Sequence, residues 1–264
     1  MLSERDKLIK KCAEDLVGSK YAVAFTGAGI STESGIPDFR GPSGIWTRDP
    51  EAERRSYEIF GKFLRNPKEY WEEALKSPLY EILEKARPNP AHCALAELEN
   101  MGILKTIITQ NIDGLHKKAG SKNVLEFHGS VDKLRCIHCG CRFPKEEFLN
   151  EIAEKRVPIC KNCKSPLKMD VVYFTEPIPR DVYELSFAEA EKCDLMLVCG
   201  TSAVVYPAAE LPRIAKRCGA KVVEVNFEET PLTREGVSDY IIQGKAGEIL
   251  PKIVEEVKNL RRKQ

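Results

Sequence analysis

The sequence has no long hydrophobic run. Nowhere do about 18 apolar residues follow one another, the length that a membrane-spanning helix needs. The opening residues also lack an uninterrupted apolar segment of signal-peptide length, so we expect a cytoplasmic protein. Internal repeats are absent, and the short basic ending RRKQ is the only biased segment.

The chain has almost no net charge. Its 41 Lys and Arg residues balance 40 Asp and Glu residues, which gives a formal charge of +1 at pH 7. A protein with so little net charge exerts no global electrostatic attraction on nucleic acid or on a membrane surface. We therefore expect neither partner, and ligand binding has to come from local sites.

Short apolar strands alternate with helices along most of the 264 residues. An opening helix follows Ser3, and a final helix carries apolar residues from Ile249 to Leu260. The predicted strands are YAVAF (21–25), TIIT (106–109), DLMLVCG (194–200), KVVEVN (221–226) and YIIQ (240–243). This alternation predicts an α/β fold, a parallel sheet with helices on both faces. Residues 42–88 and 131–169 interrupt the alternation, and each stretch indicates an insertion.

The chain has ten cysteines. A disulfide framework is not expected, because the protein is neither small nor expected in an oxidising compartment, so the cysteines indicate metal binding or redox chemistry. Their spacing favours a metal site. Two C-x2-C pairs stand twenty residues apart, the spacing of a zinc ribbon. The predicted ligands of one structural Zn²⁺ per chain are Cys136, Cys139, Cys160 and Cys163. His138 and Cys141 are alternative ligands with poorer geometry, and unconnected core cysteines are the other interpretation. Mixed charges around the site disfavour a nucleic-acid-binding ribbon.

A glycine-rich turn follows the first predicted strand. Gly27, Ala28 and Gly29 have the form that lets backbone approach a pyrophosphate at a helix N-terminus. Thr32 replaces the third glycine of the usual dinucleotide fingerprint, which disfavours an ordinary dehydrogenase. The loop GIPDFRG (35–41) then places an acid, an aromatic and a guanidinium in succession.

Polar residues also follow the second predicted strand. Asn111 and Asp113, in TQNIDGLH, stand where open parallel sheets bind ligands, so they could face one cleft. The alternative is a pair of turn-capping side chains. His128, in FHGS, is either a catalytic base or a satisfied hydrogen-bonding residue.

These motifs occur together in the order and at the spacing of the sirtuin family: GAGIS, GIPDFRG, TQNID, HGS, the four cysteines, VVYF, GTS (200–202) and Asn226. The sequence resembles the NAD-dependent protein lysine deacylases over nearly its full length. The resemblance implies a Rossmann-like NAD-binding domain formed by 1–45, 89–131 and 171–264. It also implies an inserted helical module at 46–88 and an inserted zinc-binding module at 132–170.

The resemblance also implies roles for individual residues. At the NAD co-substrate it places Gly27, Ala28 and Gly29 (phosphates), Asp38, Phe39 and Arg40 (closing loop), Gln110 (ribose), Asn111, Ile112 and Asp113 (nicotinamide carboxamide), Gly200, Thr201 and Ser202 (phosphate and ribose), and Asn226 and Ala246 (adenosine). The implied catalytic residues are His128, as the base, and Asn111. Val172, Tyr173 and Phe174 match the segment that pairs with the substrate peptide.

The implied activity transfers acetyl groups from protein lysines to ADP-ribose, with release of nicotinamide. In that reaction the Phe39 loop excludes water, and His128 removes a proton from the ribose hydroxyl system. ADP-ribosyl transfer to a protein and a catalytically idle NAD-binding module are the alternatives. Thr175 stands where relatives usually carry Gly, which bears on acyl preference. No Tyr-x-x-Arg pair lies between Glu69 and Arg87, so neutral acyl groups, acetyl first, are expected.

Overall fold

A six-stranded parallel sheet forms the centre of the computed structural model, which describes residues 3–42 and 44–263. Its strands lie in the order β3-β2-β1-β7-β8-β9, and a second, antiparallel sheet has the order β5-β4-β6. The strands are β1 (Ala22–Thr26), β2 (Leu104–Thr109), β3 (Val124–Glu126), β4 (Gly129–Cys136), β5 (Arg142–Pro144), β6 (Leu167–Val171), β7 (Leu195–Cys199), β8 (Lys221–Asn226) and β9 (Tyr240–Gln243).

Helices surround the sheets. They are α1 (Glu4–Gly18), α2 (Ile45–Arg48), α3 (Pro50–Ser56), α4 (Ile59–Arg65), α5 (Pro67–Lys76), α6 (Pro78–Lys85), α7 (Pro90–Asn100), α8 (Leu115–Lys118), α9 (Leu149–Ala153), α10 (Arg180–Lys192), α11 (Leu211–Arg217), α12 (Pro231–Arg234) and α13 (Ala246–Arg262). Three 3₁₀ helices cover Ala28–Ser34, Lys145–Phe148 and Ala208–Glu210.

The central strands β1 and β7 are buried at every position, as expected for parallel strands covered on both faces. Helices α1, α7 and α13 pack on one face of the sheet, and α10 and α11 pack on the other. The side chain of Ser3 caps α1 by accepting a hydrogen bond from the backbone N–H of Asp6. The predicted α/β fold is therefore confirmed. It differs from the expectation in two respects: the segment after β1 forms a 3₁₀ helix, and β3 adds a sixth strand that is not among the five predicted.

The chain reverses its direction of travel across the sheet between β1 and β7. From β1 it proceeds to β2 and β3 on one side, and it later returns to β7, β8 and β9 on the other. After β1 and after β7 the chain therefore continues to opposite sides of the sheet, and a crevice opens at the carboxyl edge between the two halves. Such a switch point is where open α/β sheets bind ligands.

The two interrupting stretches pack against each other. Helices α2 to α6 form the first stretch, and the antiparallel sheet with the four cysteines forms the second. Their shared apolar core includes Phe63, Trp71, Leu134 and Met169. The indole Nε1 of Trp71 donates a hydrogen bond of 2.8 Å to the carbonyl of Leu167 on β6. The two stretches thereby form one wall beside the large sheet.

None of the helices within residues 3–42 and 44–263 combines the length and the apolar character needed to cross a lipid bilayer.

Candidate active site

A cavity of about 1760 Å³ opens at the carboxyl edge of the parallel sheet, between the sheet and the two interrupting stretches. Most residues that the sequence singled out line it: Ala28, Gly29, Asp38, Phe39, Arg40, Gln110, Asn111, Ile112, Asp113, His128, Val172, Tyr173, Phe174, Gly200, Thr201, Ser202, Asn226 and Ala246. Gly27 lies against the side chain of Thr201 at its edge. Segments far apart in the chain thus meet in one place.

The glycines at the switch point allow two backbones to touch. The N–H of Gly29 donates a hydrogen bond of 2.7 Å to the carbonyl of Gly200. Gly200 has φ +59°, and a Cβ there would lie 2.2 Å from the backbone nitrogen of Ile30. A side chain would therefore separate the loops that follow β1 and β7. Ala28, Gly29 and Gly200 all line the cavity, so a ligand can approach this backbone closely, as a phosphate-binding turn requires.

Asn111 and Asp113 meet at the hydroxyl of Ser31. The Asn111 side-chain amide donates to the Ser31 hydroxyl and to the carbonyl of Gly27, both at 3.0 Å. The Ser31 hydroxyl donates to the Asp113 carboxylate at 2.7 Å, and the N–H of Leu115 donates to the same carboxylate at 2.9 Å. Burial raises the pKa of Asp113, which is only 3% exposed. These bonds hold both side chains in one orientation at the cavity wall.

Two buried histidines, His92 and His116, lie behind this hydrogen-bond network. His92, on α7, lies 3.5 Å from the Ser31 hydroxyl, and its ring packs edge-on against His116 at 4.9 Å between centroids. His116 Nε2 lies 2.9 Å from the hydroxyl of Thr26 at the end of β1. Burial lowers the pKa of His92 to about 4 and that of His116 to about 3, so both rings are neutral near pH 7.

His128 is positioned by a neighbouring backbone carbonyl. Its Nδ1 lies 3.1 Å from the carbonyl oxygen of Gln110. Because a carbonyl only accepts hydrogen bonds, Nδ1 carries the proton, and Nε2 is the basic nitrogen of the neutral ring. Burial lowers the pKa of His128. The Gln110 side chain donates to the Thr201 hydroxyl at 2.9 Å, which links the residues after β2 and β7.

The loop Asp38–Arg40 is held by contacts with helices α2 and α3. The Phe39 and Trp46 rings lie 4.6 Å apart between centroids. Arg40 stacks over Trp46 at 4.4 Å and pairs with Glu53 at 2.9 Å. Asp38 accepts a hydrogen bond from the N–H of Gly41. Phe39 remains 37% exposed, so the loop has a large apolar side chain at the cavity mouth.

The segment 172–174 passes directly beside His128. The N–H of Val172 donates to the carbonyl of His128 at 2.8 Å. The Tyr173 hydroxyl lies 2.7 Å from that of Tyr70, and the Phe174 ring stacks on Tyr57 at 4.4 Å. The segment 172–174, which the sequence predicts to pair with the substrate peptide, therefore spans the space between His128 and the residues Tyr57 and Tyr70.

On the opposite side of the cavity, the side-chain amide of Asn226 donates to the carbonyl of Thr201 at 3.1 Å. Ala246 lies at the first turn of α13, behind the end of β9. Ser202 follows Thr201 on the same loop. The residues predicted to bind the cofactor thus lie at or just beyond the carboxyl ends of β1, β2, β7 and β8. Ala246 lines the same cavity.

The four predicted metal ligands converge. One sulfur atom from each of Cys136, Cys139, Cys160 and Cys163 lies within 4.8 Å of all the others. The Cys136–Cys163 and Cys139–Cys160 sulfur separations are 3.4 and 3.6 Å. Tetrahedral Zn²⁺ with bonds of about 2.3 Å requires sulfurs about 3.8 Å apart, so this set fits a zinc ion. Four thiolates would fill the coordination sphere, which makes the site structural rather than catalytic.

A family model described as "Sir2 family" matches residues 27–207, more than half of the chain. The chain is also 51% identical to an NAD-dependent protein deacylase 2 of Archaeoglobus fulgidus, over 96% of this chain and 97% of the relative.

The chain belongs to the Sir2 family.

Solved Sir2 structures superimpose closely. One, bound to a myristoylated histone peptide, has a TM-score of 0.73 and 45% identity over 98% of this chain and 100% of that structure. Another, with a deacetylated p53 peptide and 3′-O-acetyl-ADP-ribose, has a TM-score of 0.79 and 38% identity over 94% and 98%.

Two residues of this Sir2 protein, Ser31 and His92, support the site although no sequence motif predicts a role for them. Ser31 is visible within GAGIS, and its neighbours there suggest only a tight turn. His92 lies in an apolar helical segment, where the sequence pattern indicates a core residue. The signal for His92 is the sequence Asn-Pro-Ala-His, since Asn89 caps α7 and its N–H donates to Nδ1 of the ring.

Proposed function

We propose that this Sir2-family protein is an NAD-dependent protein lysine deacetylase. It removes acetyl groups from protein lysines and produces nicotinamide and O-acetyl-ADP-ribose. The observation that carries the proposal is the meeting of Asn111, Asp113 and His128 in the cavity that opens beside the Gly29–Gly200 contact. Binding groups for an amide, a base and a phosphate-binding backbone occupy one crevice, which suits a reaction on a dinucleotide.

We assign the two ends of NAD to two parts of the cavity. Asn111, Ile112 and Asp113 hold the nicotinamide carboxamide, because Asp113 offers a fixed acceptor and Asn111 an amide. The residues assigned to the phosphates, riboses and adenosine are Gly27, Ala28, Gly29, Gln110, Gly200, Thr201, Ser202, Asn226 and Ala246. Asp38, Phe39 and Arg40 close over the site, and Phe39 excludes water from the reacting ribose.

His128 acts as the general base in this proposal. The Gln110 carbonyl holds the proton on Nδ1, so Nε2 can accept a proton from a ribose hydroxyl. Burial keeps the ring neutral at pH 7, and a neutral ring is the form a base requires. Asn111 acts with it by orienting the nicotinamide for departure.

The substrate is an acylated lysine in a protein or peptide. Val172, Tyr173 and Phe174 are assigned to the peptide backbone, next to His128. The wall around the acyl group is apolar, with Ile112, Val131 and Met169 in the cavity lining, so it suits neutral acyl groups. Because a relative binds a myristoylated peptide, longer chains are included with acetyl.

The four cysteines hold one Zn²⁺ in this proposal, and the ion supplies a structural cross-link between β4 and the loop before β6. We also propose the modular division predicted from sequence, with 46–88 and 132–170 inserted into the NAD-binding domain. Nucleic acid is not among the proposed partners. The cytoplasmic location stays a prediction.

The test incubates purified protein with an acetyl-lysine peptide and NAD and follows peptide, nicotinamide and ADP-ribose products by mass spectrometry. We expect one deacetylated peptide for each nicotinamide released, and no reaction without NAD. Nicotinamide release that does not depend on the acyl group, with ADP-ribose attached to protein, would support ADP-ribosyl transfer instead. The absence of both reactions would support an idle NAD-binding module.

A further inference from the structure

A cluster of four charged side chains is buried beneath the segment 172–174. Lys168 is fully buried, the side chains of Asp170 and Glu176 are 5% and 2% exposed, and that of Arg135 is 11% exposed. Lys and Glu are rarely buried so completely, because removing an ion from water is costly unless it is paired. None of the four side chains has a part in the chemistry proposed above.

The hydrogen bonds of Lys168 end on the backbone of β6, directly before the segment 172–174. The Lys168 ammonium donates to the carbonyls of Met169 and Val171, at 2.9 and 2.5 Å, and pairs with Glu176 at 3.1 Å. The other oxygen of Glu176 pairs with Arg135. All three protons of the ammonium are thereby used, and two of them fix backbone where β6 ends.

Glu176 also fixes the turn that follows. Its own N–H donates to the carbonyl of Tyr173 at 3.1 Å, and its carboxylate accepts from the N–H of Tyr173 at 3.2 Å. The turn 173–176 has a positive φ of +70° at Thr175, its third residue, which matches a type II turn. Thr is β-branched and strained at such a φ, so the turn depends on Glu176 rather than on local preference.

Two backbone groups beside the cluster, the carbonyl of Val172 and the N–H of Phe174, remain available to pair with a peptide strand. Within residues 3–42 and 44–263, no backbone group hydrogen-bonds to the N–H of Phe174 or to the carbonyl of Val172. An added strand pairs with donors and acceptors of alternate residues. The groups of Tyr173, in contrast, are both taken by Glu176. The Glu176 carboxylate therefore takes the N–H of Tyr173, and the groups of Val172 and Phe174 remain available to a substrate.

The geometry points to Glu176 and Lys168 as positioning residues for the peptide substrate. This inference rests on the proposed function, and it assigns the cysteine module a role in substrate affinity. Arg135 precedes the zinc ligand Cys136, and Lys168 lies on the paired strand β6. The ion cluster thus joins the metal-binding module to the peptide segment.

The experiment compares Glu176→Gln, Lys168→Met and the double variant with the wild type. Zinc content and thermal unfolding establish folding, and KM for an acetyl-lysine peptide and for NAD are measured separately. Glu147→Gln is the matched control, because Glu147 forms an exposed ion pair with Lys161 in the same module.

In Glu176→Gln we expect peptide KM to rise by about tenfold, the effect of about 1.4 kcal/mol, with NAD KM within about twofold of the wild type. The control should keep both values. Should either single variant fail to fold, the double variant decides, because it leaves no unpaired ion of this pair. A folded, zinc-loaded variant with unchanged peptide KM, or with equal increases for peptide and NAD, would overturn the inference.

Failure of the proposed function gives a different result. The wild type itself would then show no NAD-dependent deacylation, whatever the variants do. In that case, direct binding of the acetyl-lysine peptide to wild type and variants tests the ion cluster. Unaltered peptide affinity in the folded variants would refute its role, and a loss of about tenfold would support it.

Discussion

The Ser31 hydroxyl donates a 2.7 Å hydrogen bond to the buried carboxylate of Asp113. The two residues lie 82 positions apart, on the loop after β1 and the loop after β2. A buried carboxylate is costly without donors, and here the Leu115 N–H supplies a second one. The carboxylate is thereby held in one orientation before any ligand arrives.

Asp113→Asn should impair nicotinamide cleavage more than NAD affinity, because other loops hold most of the dinucleotide. The substituted amide presents an N–H where Ser31 and Leu115 already donate. We expect nicotinamide exchange to fall by roughly 10–100-fold, the effect of one disrupted buried hydrogen bond, with a smaller change in the Kd for NAD. Exchange kinetics and calorimetry measure the two quantities. Asp132→Asn is the control, because Asp132 lies 3.7 Å from Lys118 and does not line the cavity. Equal losses in binding and exchange would contradict the assignment.

His128→Ala should lower deacetylation by roughly 10²–10⁴-fold, the usual contribution of a positioned general base. Nicotinamide exchange should fall less, because the base acts after the nicotinamide has left. Both reactions are measured on one preparation, with thermal unfolding as a check of folding. His138→Ala, at an exposed position, is the matched control. Near-normal deacetylation by folded His128→Ala protein would end the catalytic assignment.

The buried pair His92 and His116 should make the fold sensitive to mild acid. Their pKa values in the folded protein are about 4 and about 3, below the ordinary value of 6.5. Between those values and pH 6.5 the unfolded chain binds more protons than the folded one, so stability falls as the pH falls. Each ring contributes a loss of about 1.4 kcal/mol per pH unit in that range.

Urea unfolding at pH 7, 6 and 5 measures this dependence. The variant His116→Gln should show a shallower decline than the wild type, whereas the exposed variant His138→Gln should follow the wild type. Comparing variants at each pH cancels any acid-induced loss of zinc, which affects all of them. Identical slopes for His116→Gln and the wild type would contradict the prediction.

Removing the metal should unfold the cysteine module. Structural zinc contributes about 10–16 kcal/mol of apparent binding free energy in small sites, so a chelator or Cys160→Ser should abolish the cooperative transition of this module. Cys218→Ser, at an exposed cysteine outside the cluster, should change neither zinc content nor stability. Metal analysis and circular dichroism provide the readouts. Full stability in a metal-free protein would exclude the structural site.

At position 175 a Gly variant should be more stable than an Ala variant, the reverse of the usual order in a helix. Its φ of +70° strains any side chain with a Cβ by about 1–2 kcal/mol. Thr175→Gly should therefore be more stable than Thr175→Ala by about 1 kcal/mol, measured by urea unfolding. At exposed Lys252, within α13, Ala should be the more stable by about 1 kcal/mol. The same order at both positions would argue against the turn described here.

The fold class could be predicted from the sequence, because apolar periodicity and the glycine and proline residues that end helices and strands are local properties. Strands such as β7 and β8 are short, continuous apolar runs, and the pattern places them within a residue or two. The 3₁₀ form of Ala28–Ser34 could not be read in this way. The N–H of Gly29 bonds to Gly200, on a distant loop, and that contact shapes the segment.

The sequence by itself singled out the four cysteines that converge and the motif residues at the strand ends, because short spacings and strand termini are local features of the chain. Only the tertiary structure showed that Ser31 and His92 support Asn111 and Asp113. It alone also showed that Glu176, Lys168 and Arg135 form one buried cluster. The physical reason is that a buried polar group must find its partners in space. Those partners come from whichever elements pack nearby, at chain separations that no local pattern records.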